Sequence, residues 1–493
     1  MDGGGSNAQE CEYPRVFTWE LIQYCRLHHL PPRLFQDLVA LLPSVPRYVR
    51  VRSGFPLQDG GPAGPISKVI DRICEGVAVD LGVSRSKVNV VSWLPIPYCV
   101  SVPRGASIVR SKLHRSGAIS AMDAASMAAV VALRPRRGEI VWDVCCSPGM
   151  KLSFMADAVG TKGLAVGTDI SVDRLFVARS VLKRHGIHNA CILVADGKLF
   201  QAKAAAEAVG AEVGTLVKYG HNGLSAREER RLRQCRKRWH SGDLVRGSER
   251  ADVAPVYITE AVRERLAGFY GEADGCCRFD RVLVDAECSH DGSLAHLFLN
   301  DDDKWPFSDG YESTTGQKGI DNAHRMHRLN LSLHDTITDG NEKGALTRLQ
   351  QLQLELLVNG YTQLKPGGTL VYCTCSFTFE QNEFIVSEML RAVNGTAESR
   401  EKQGGEAVLC HPFEYEHEAG QTAELSEEVR LADAQAAQLR QELEKAGDPY
   451  GVVTVGAHGG ETFMGVRFWP HALKTSFQFV SKIWKKPLET STG

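Results

Sequence analysis

The chain has 493 residues, 43% of them hydrophobic and 24% charged, which is enough apolar material for two or three domains with cores of their own. Its formal net charge of -2 excludes a uniformly basic surface, so any contact with a polyanion must come from local clusters of Lys and Arg. Fourteen cysteines lack the regular spacing of a secreted disulfide scaffold or of paired CxxC zinc sites, so we predict reduced thiols and no bound metal.

The N-terminal segment has no basic region followed by an apolar core, and no run approaches the roughly 18 apolar residues of a membrane span. We expect a disordered tail over residues 1–14 and an intracellular protein, nuclear, nucleolar or cytoplasmic, without a membrane partner. Apolar residues then recur at helical spacing over about 14–45, and the next segment, 46–54, alternates like a strand. We predict a smaller N-terminal domain over residues 15–115.

The pattern changes at Ser116, where a helix rich in small residues precedes an apolar strand that ends at Asp143. Strand-like runs alternate with helical patterns from there on, which predicts a mostly parallel, doubly wound sheet in a domain spanning 116–485. Two polar stretches interrupt the alternation, at about 200–275 and 395–450, and we interpret both as insertions on the surface of the sheet domain.

The turn after Asp143 runs through Pro148 and Gly149 into a helix, which is how open α/β sheets place a cofactor at strand ends. It lacks both GxGxxG and GxxxxGK[ST], so pyrophosphate binding is disfavoured. Asp169, at the end of the next strand, is suited to a ribose diol, and Asp196, after the third, to an adenine amino group. The alternative is that these aspartates are ordinary turn residues.

Cys288 and Cys375 each follow an apolar strand and stand in polar, turn-prone surroundings. A single cysteine is more often a small buried hydrophobic residue. Two at the carboxyl edge of one sheet favour reactive thiols that reach a substrate. An unperturbed thiol is mostly protonated at neutral pH, so activation needs a positive partner, for which Lys151 and the adjacent helix N-terminus are candidates.

A basic run at residues 227–238 either forms a solvated helix or, together with the arginines of the 46–54 strand, a surface that tracks phosphates. The arginines and lysine that we name for this surface are Arg47, Arg50, Arg52, Arg236, Lys237 and Arg238.

These strings together resemble the Fmu/Sun-type RNA cytosine-5 methyltransferases, over about residues 46–471 outside the two insertions. The family's CAAPGGK cofactor loop corresponds to Cys145, Cys146, Ser147, Pro148, Gly149, Met150 and Lys151. Its DAPCSG motif corresponds to residues 285–290 and its YSTCS motif to residues 372–376. The resemblance implies a class I S-adenosylmethionine-dependent methyltransferase, an α/β Rossmann-like doubly wound, mostly parallel sheet, preceded by a smaller N-terminal α/β domain that contacts RNA.

The resemblance also implies roles for single residues. Cys375 would be the nucleophile and Cys288 would help to release the product, with Asp285 holding the cytosine and Lys151 assisting. S-adenosylmethionine would contact the 145–151 loop and also Asp169, Arg174, Asp196 and Asp285. The implied partner is ribosomal or transfer RNA, and we expect a monomer.

The sequence departs from the family at two positions: Glu287 stands where the family has proline, and His290 where it has glycine. As a hypothesis, one of these two residues takes the proton from carbon-5 of the base. Two rival functions stay open: an RNA-binding assembly factor that has lost turnover, and a DNA cytosine methyltransferase.

Overall fold

The computed structural model describes residues 19–52, 66–94, 99–203, 224, 228–234, 253–270, 278–294, 346–414, 427–453 and 463–488. Its helices are α1 (Trp19–Leu27), α2 (Pro32–Leu41), α3 (Ile66–Leu81), α4 (Lys112–Arg115), α5 (Ala124–Leu133), α6 (Met150–Val159), α7 (Val172–Arg184), α8 (Glu260–Tyr270), α9 (Arg348–Thr362), α10 (Glu383–Asn394), α11 (Ala397–Gln403), α12 (Glu427–Ala446) and α13 (Pro470–Leu473). Its strands are β1 (Arg47–Val51), β2 (Asn89–Val90), β3 (Cys99–Val102), β4 (Ile119–Ala121), β5 (Ile140–Asp143), β6 (Leu164–Asp169), β7 (Ala190–Val194), β8 (Ala254–Tyr257), β9 (Phe279–Asp285), β10 (Leu364–Thr374), β11 (Glu406–Cys410), β12 (Val466–Phe468) and β13 (Gln478–Lys486).

The main sheet has nine strands in the order β11-β13-β10-β9-β5-β6-β7-β8, with β12 paired to β13. The five central strands, from β10 to β7, are parallel, and β13 runs antiparallel between β10 and β11. The strand order reverses direction along the chain between β5 and β9, and ligands of doubly wound sheets bind at such a switch point. This arrangement is the class I methyltransferase sheet that the sequence predicts.

The N-terminal part forms a separate four-stranded antiparallel sheet in the order β2-β3-β1-β4. The predicted strand around Arg47–Val51 is confirmed as β1. The helical pattern predicted over about residues 14–45 forms two helices, α1 and α2, because Pro31 and Pro32 interrupt it and Pro32 opens α2. The segment after Ser116, predicted as helix, first forms β4, which pairs with β1 and so belongs to the N-terminal sheet.

Parts of both predicted insertions lie in the main sheet rather than on its surface. From the first stretch, β8 pairs with β7 at one edge, and from the second, β11 pairs with β13 at the other. The sequence of β11 does not alternate between polar and apolar residues, so it cannot be told apart from its Glu-rich surroundings. In the structure, Ala407 is the one buried residue of this strand. Of the described helices, none is long and apolar enough to cross a membrane.

One buried lysine makes a testable contribution to stability. Lys485 on β13 donates hydrogen bonds to the carbonyl oxygens of Tyr361 (3.0 Å) and Leu364 (2.9 Å), and its ammonium lies 4.6 Å from the Tyr361 ring centre. No carboxylate neutralises it in these contacts, so burial lowers its pKa to about 7.

We expect stability to rise with pH between about 7 and 10 through Lys485, because over that range the unfolded chain keeps a proton that the folded chain has released. The slope from this one group is at most about 1.4 kcal/mol per pH unit. Denaturation midpoints measured across this pH range should show the slope in the wild type and lose it in Lys485→Met. The exposed-site control, Lys183→Met, should keep it, and equal slopes in all three proteins would contradict the assignment.

Candidate active site at the carboxyl edge of the sheet

The predicted functional residues meet at the carboxyl ends of the central parallel strands. Asp143 ends β5, Asp169 ends β6 and Asp285 ends β9, while Cys375 follows the last residue of β10. In the pairing of β9 with β10, Asp285 stands opposite Cys373, so the two cysteine-bearing loops leave the sheet side by side. The prediction that one sheet edge brings these residues together is confirmed.

The loop after β5 is held tightly against its neighbours. The Cys146 amide donates to the carbonyl of Thr168 on β6 (2.8 Å), and the Gly149 amide donates to the carbonyl of Cys146 (2.6 Å). Gly149 has φ 96°, and a Cβ there would come within 3.0 Å of Ala178 on α7, so glycine is needed on both counts. α6 therefore starts directly after this loop, at the carboxyl edge of the sheet, and the amide groups of its first turn have no partner within the helix.

Several buried polar atoms around this loop have unused hydrogen-bonding capacity within the described part of the chain. They are both carboxylate oxygens of Asp143, Oδ2 of Asp169 and Oγ of Ser147. Burial, reinforced by the nearby Asp285 charge, raises the pKa of Asp143. Because buried polar groups are nearly always paired, such a cluster at a strand edge marks a site for a polar ligand.

One of the two carboxylate oxygens of Asp169 is hydrogen-bonded to the protein backbone. Its Oδ1 accepts a hydrogen bond from the Ser171 amide (2.8 Å), whereas Oδ2 lies 3.9 Å from the Arg174 guanidinium, beyond hydrogen-bond distance, and can accept a hydrogen bond from a ligand. Arg174, in the first turns of α7, reaches back to donate to the Ser147 carbonyl (3.2 Å), so it braces the loop at the pocket's edge. Asp196 accepts from the Lys198 amide (3.0 Å), as a turn residue does, and lies farther along the same sheet edge after β7.

The two predicted thiols are adjacent. The Sγ atoms of Cys288 and Cys375 lie 3.3 Å apart, and Cys288 is buried while Cys375 is partly exposed. The loop of Cys288 is fastened to the end of β10 by a hydrogen bond from the Gly292 amide to the Cys375 carbonyl (2.9 Å). A Cβ at Gly292 would approach that carbonyl oxygen to 2.5 Å, so only glycine permits this closeness.

His290 completes the thiol cluster. Its Nδ1 lies 3.1 Å from Sγ of Cys375 and 3.5 Å from Sγ of Cys288. The hydrogen bond from Cys375 and the positive charge of His290 lower the pKa of the Cys288 thiol well below its usual value. The charge of Cys288 in turn raises the pKa of His290 to about 9. Both shifts favour an ionised Cys288 sulfur that accepts a hydrogen bond from the Cys375 thiol.

The sequence makes Lys151 a candidate for the positive partner of the thiols, but in the structure this lysine pairs with Asp285 instead. Its Nζ donates to Oδ2 of Asp285 at 2.8 Å, and Oδ1 of Asp285 accepts a hydrogen bond from the Cys373 thiol at 3.2 Å. Burial opposes protonation of Lys151, but the carboxylate of Asp285 outweighs it and raises the pKa of the lysine. The cation next to the thiols is His290, and Lys151 orients the carboxylate.

A buried polar network supports both cysteine loops from below. Asp291 accepts hydrogen bonds from the Phe377 amide (3.0 Å) and from Ser289. Gln381 donates to Ser289 Oγ (2.9 Å) and to the hydroxyl of Tyr24 (3.2 Å), which brings α1 into the same network. Because Ser289 and Phe377 stand next to the two reactive positions, the network fixes where the thiols point.

The structure corrects the prediction that Arg50 and Arg52 contact RNA. Arg50 is 3% exposed and, with Arg52, binds the carboxylate of Asp157 on α6 at distances of 2.7–2.9 Å. Arg52 also donates to the carbonyls of Gly117 and His185. Both guanidinium groups are taken up by these contacts inside the protein, where they join the N-terminal sheet to the main domain, so neither side chain is available to a phosphate.

The other basic residues fare differently. Arg47 donates to the Ala106 carbonyl (2.9 Å) and is only partly buried, so it stays a candidate for contact with RNA. Arg236, Lys237 and Arg238 lie outside the described residues.

Sequence reasoning missed three participants in the site. The sequence marks Asp143 only as the end of a strand and gives no role to Cys373, which lies within a motif. For His290 it suggests removal of the carbon-5 proton rather than contact with the thiols. For His290 one signal was available: it stands at a position where the motif has glycine, and its φ of 60° is one that glycine adopts freely.

The strand order, the carboxylates at three neighbouring strand ends and the adjoining acid and thiol cluster define a class I methyltransferase-type site. Comparison with known proteins gives the same answer from sequence. A family model described as "16S rRNA methyltransferase RsmB/F" matches residues 130–210 and 331–411.

Three relatives are each similar to part of this chain. The "28S rRNA (cytosine-C(5))-methyltransferase" of Mus musculus is 25% identical over 300 residues, 61% of this chain and 24% of that protein. The "tRNA (cytosine(49)-C(5))-methyltransferase" of Pyrococcus abyssi is 23% identical over 282 residues, 57% of this chain and 56% of that protein. The mitochondrial "tRNA (cytosine(34)-C(5))-methyltransferase" of Mus musculus is 34% identical over 113 residues, 23% of this chain and 22% of that protein.

These matches confirm the similarity to the Fmu/Sun-type RNA cytosine-5 methyltransferases that the motifs indicated. The match to the first of these relatives spans about a quarter of that protein's length, 24%.

Proposed function

We propose that the protein transfers a methyl group from S-adenosylmethionine to carbon-5 of a cytosine in ribosomal or transfer RNA, through a covalent bond to Cys375. The observation that carries the proposal is the pair of thiols, with sulfur atoms 3.3 Å apart, beside Asp285 and at the same sheet edge as Asp143 and Asp169, whose carboxylates keep oxygens without a hydrogen-bond partner. The activities for which the relatives are named supply the class of base and of RNA.

The residues at the carboxyl ends of β5 and β6, together with the start of α6, fit the proposed cofactor. Oδ2 of Asp169 suits a ribose hydroxyl, and the first amides of α6 together with Asp143 suit the charged amino-acid part. Asp143 faces a positive group more readily than a phosphate, which agrees with a nucleoside cofactor that carries no phosphate. When bound, the cofactor supplies an electrophilic methyl group on a sulfonium.

Carbon-5 of cytosine is a poor nucleophile, so the protein must first activate the ring. Attack of the Cys375 sulfur on carbon-6 forms an S–C bond and moves the electrons of the C5–C6 double bond onto carbon-5, which then takes the methyl group. The partly exposed position of Cys375 allows a flipped-out or single-stranded base to reach it.

Asp285 is placed to orient the base. Both of its oxygens accept hydrogen bonds from protein groups, Lys151 on one side and Cys373 on the other. An acceptor role supports a contact with the exocyclic amine of cytosine rather than donation to N3, because the proton for donation would have to replace one of these bonds. Lys151 holds the carboxylate in position and balances its charge.

The final step removes the carbon-5 proton and breaks the S–C bond. Cys288 lies within 3.3 Å of the nucleophilic sulfur and is the group with the lowered thiol pKa, so it is suited to act as the base. Reduced thiols are needed throughout, which supports an intracellular location. The monomeric state stays a prediction.

The proposal is tested by incubating the full chain with ribosomal and transfer RNA and S-adenosylmethionine labelled in the methyl group. We expect label in RNA, located at carbon-5 of cytosine by nucleoside mass spectrometry, and none in DNA of the same sequence. Label in DNA would favour the DNA methyltransferase, and RNA binding with cofactor binding but no transfer would favour the assembly factor.

We expect Asp169→Ala to weaken S-adenosylmethionine binding by about 10- to 100-fold, because a buried carboxylate–hydroxyl contact contributes about 1.5–3 kcal/mol. Calorimetric titration of cofactor into the full chain measures this. Asp173→Ala, an exposed acidic residue in the first turn of α7, is the matched control and should bind within about twofold of wild type. Equal affinities for all three proteins would place the ribose elsewhere.

A further inference from the structure

His290 holds a backbone conformation that its residue type rarely adopts. Its φ is 60°, in the left-handed region, which costs a residue with a side chain about 1–2 kcal/mol relative to glycine. Glycine stands at this position in the family that the chain resembles. A strained residue in place of an unstrained one, inside a candidate active site, points to a function for its side chain.

The imidazole of His290 contacts both reactive sulfurs. Nδ1 lies 3.1 Å from Sγ of Cys375 and 3.5 Å from Sγ of Cys288. The other titratable groups that face it are Asp285 and Glu287 from its own segment. All of these neighbours are negative when ionised, so the surroundings of the ring favour its protonated form.

We propose that His290 is a further catalytic residue of the proposed methyl transfer, whose positive charge keeps one sulfur of the Cys288–Cys375 pair ionised for the attack on the base. The inference rests on the proposed function for its substrate but concerns thiol chemistry that the protein shows without RNA. The raised pKa of His290 and the lowered pKa of Cys288 agree with it.

The attack balances within the cluster. As the Cys375 sulfur bonds to carbon-6, its proton passes to the Cys288 thiolate 3.3 Å away, and His290 keeps its own proton throughout. The charge of the cluster moves from sulfur to the pyrimidine ring, and the imidazolium stays beside it. This role precedes methyl transfer. After the transfer Cys288 gives up the proton it received to solvent and is again a thiolate, able to take the proton from carbon-5, so the role of His290 differs from removal of that proton.

The first experiment measures thiol reactivity without RNA. The full chain is alkylated with iodoacetamide between pH 5 and 10, and the rates at Cys288 and Cys375 are followed by peptide mass spectrometry. In His290→Gly and His290→Gln the pH midpoint of labelling should move up by about 1–2 units, and the rate at pH 7 should fall about 10- to 100-fold. Cys410, partly buried on β11, is the internal control, and His188→Gln on the surface is the control variant.

The glycine variant separates function from stability. Removing the strained side chain should leave the thermal midpoint of His290→Gly at or above that of the wild type, so slow labelling could not be ascribed to unfolding. If the two His290 variants are labelled with wild-type rate and pH midpoint, the proposal is overturned.

A second experiment uses the RNA that the wild type methylates, transcribed with 5-fluorocytidine, on which the adduct forms but the carbon-5 substituent cannot leave as a proton. We expect His290→Gly to form the covalent adduct about 10- to 100-fold more slowly at pH 7, in line with its alkylation rate. Adduct formation at the wild-type rate, with slow release of tritium from carbon-5 of ordinary substrate, would assign His290 to proton removal instead. If the wild type methylates no RNA, but the His290 variants are alkylated more slowly than the wild type as expected, the proposed function is rejected and the activation of the thiols by His290 is retained.

Discussion

Replacing Cys375 by alanine is expected to abolish both methyl transfer to RNA and covalent attachment of the protein to RNA. Without its sulfur no bond forms at carbon-6, and carbon-5 stays too electron-poor to take the methyl group. Cys288 cannot replace Cys375 as the nucleophile, because Cys288 is only 1% exposed, whereas Cys375 is partly exposed. Transfer of labelled methyl groups and gel analysis of denatured protein–RNA mixtures measure the two losses.

Cys288→Ala should have the opposite effect on the adduct. In this variant Cys375 is the one thiol left beside His290, 3.1 Å away, so the charge of the imidazolium keeps the Cys375 sulfur itself ionised, and attack and methyl transfer proceed. The base that completes release is gone, so the protein should accumulate in covalent complex with methylated RNA and complete fewer than one turnover per molecule.

The opposite outcomes assign the two thiols to separate steps. Cys410→Ala, in β11 outside the cluster, should keep both turnover and the absence of a stable adduct. Adduct formation by Cys375→Ala, or rapid turnover by it, would contradict the proposed mechanism, since some other atom would then have attacked the base.

The sheet and the meeting of its functional residues could be predicted because the evidence is local in the chain. Each central strand is an apolar run, and the reactive residue follows it directly, as Asp285 follows Val284 and Cys375 follows Thr374. Parallel strands bring such residues to one edge whatever the intervening chain contains. The long stretch between β9 and β10 therefore did not spoil the prediction.

What could not be predicted depends on pairing between distant residues. Arg50 and Arg52 look like a phosphate surface in sequence, and only the folded chain places Asp157, more than 100 residues later, against them. Strand β11 likewise gains its identity from β13 rather than from its own alternation. The role of His290 depends on a left-handed φ and on a sulfur from another strand, neither of which a single motif reveals.

The buried ionic cluster of Arg50, Arg52 and Asp157 should make a large contribution to the free energy of unfolding. Asp157 lies on α6, which begins at the proposed cofactor loop, and the two arginines come from β1 of the N-terminal sheet. All three side chains are at most 13% exposed. Burial alone would raise the pKa of Asp157, but hydrogen bonds from Arg52 and the charge of Arg50 outweigh it and lower that pKa. The carboxylate is therefore ionised wherever the protein is folded above acid pH.

Asp157→Asn should lower the free energy of unfolding by about 3–5 kcal/mol, because it leaves two buried guanidinium groups without a counter-charge. The matched control is Asp71→Asn, which removes the partner of Arg85 in an exposed ion pair of similar length, 3.0 Å, and should cost less than about 1 kcal/mol. Denaturant midpoints at pH 7 compare the two. In the wild type this contribution should fade as pH drops below about 4, because the unfolded chain then binds the proton first. A loss in Asp157→Asn no larger than in Asp71→Asn would mean that the N-terminal sheet is joined to α6 by apolar packing alone.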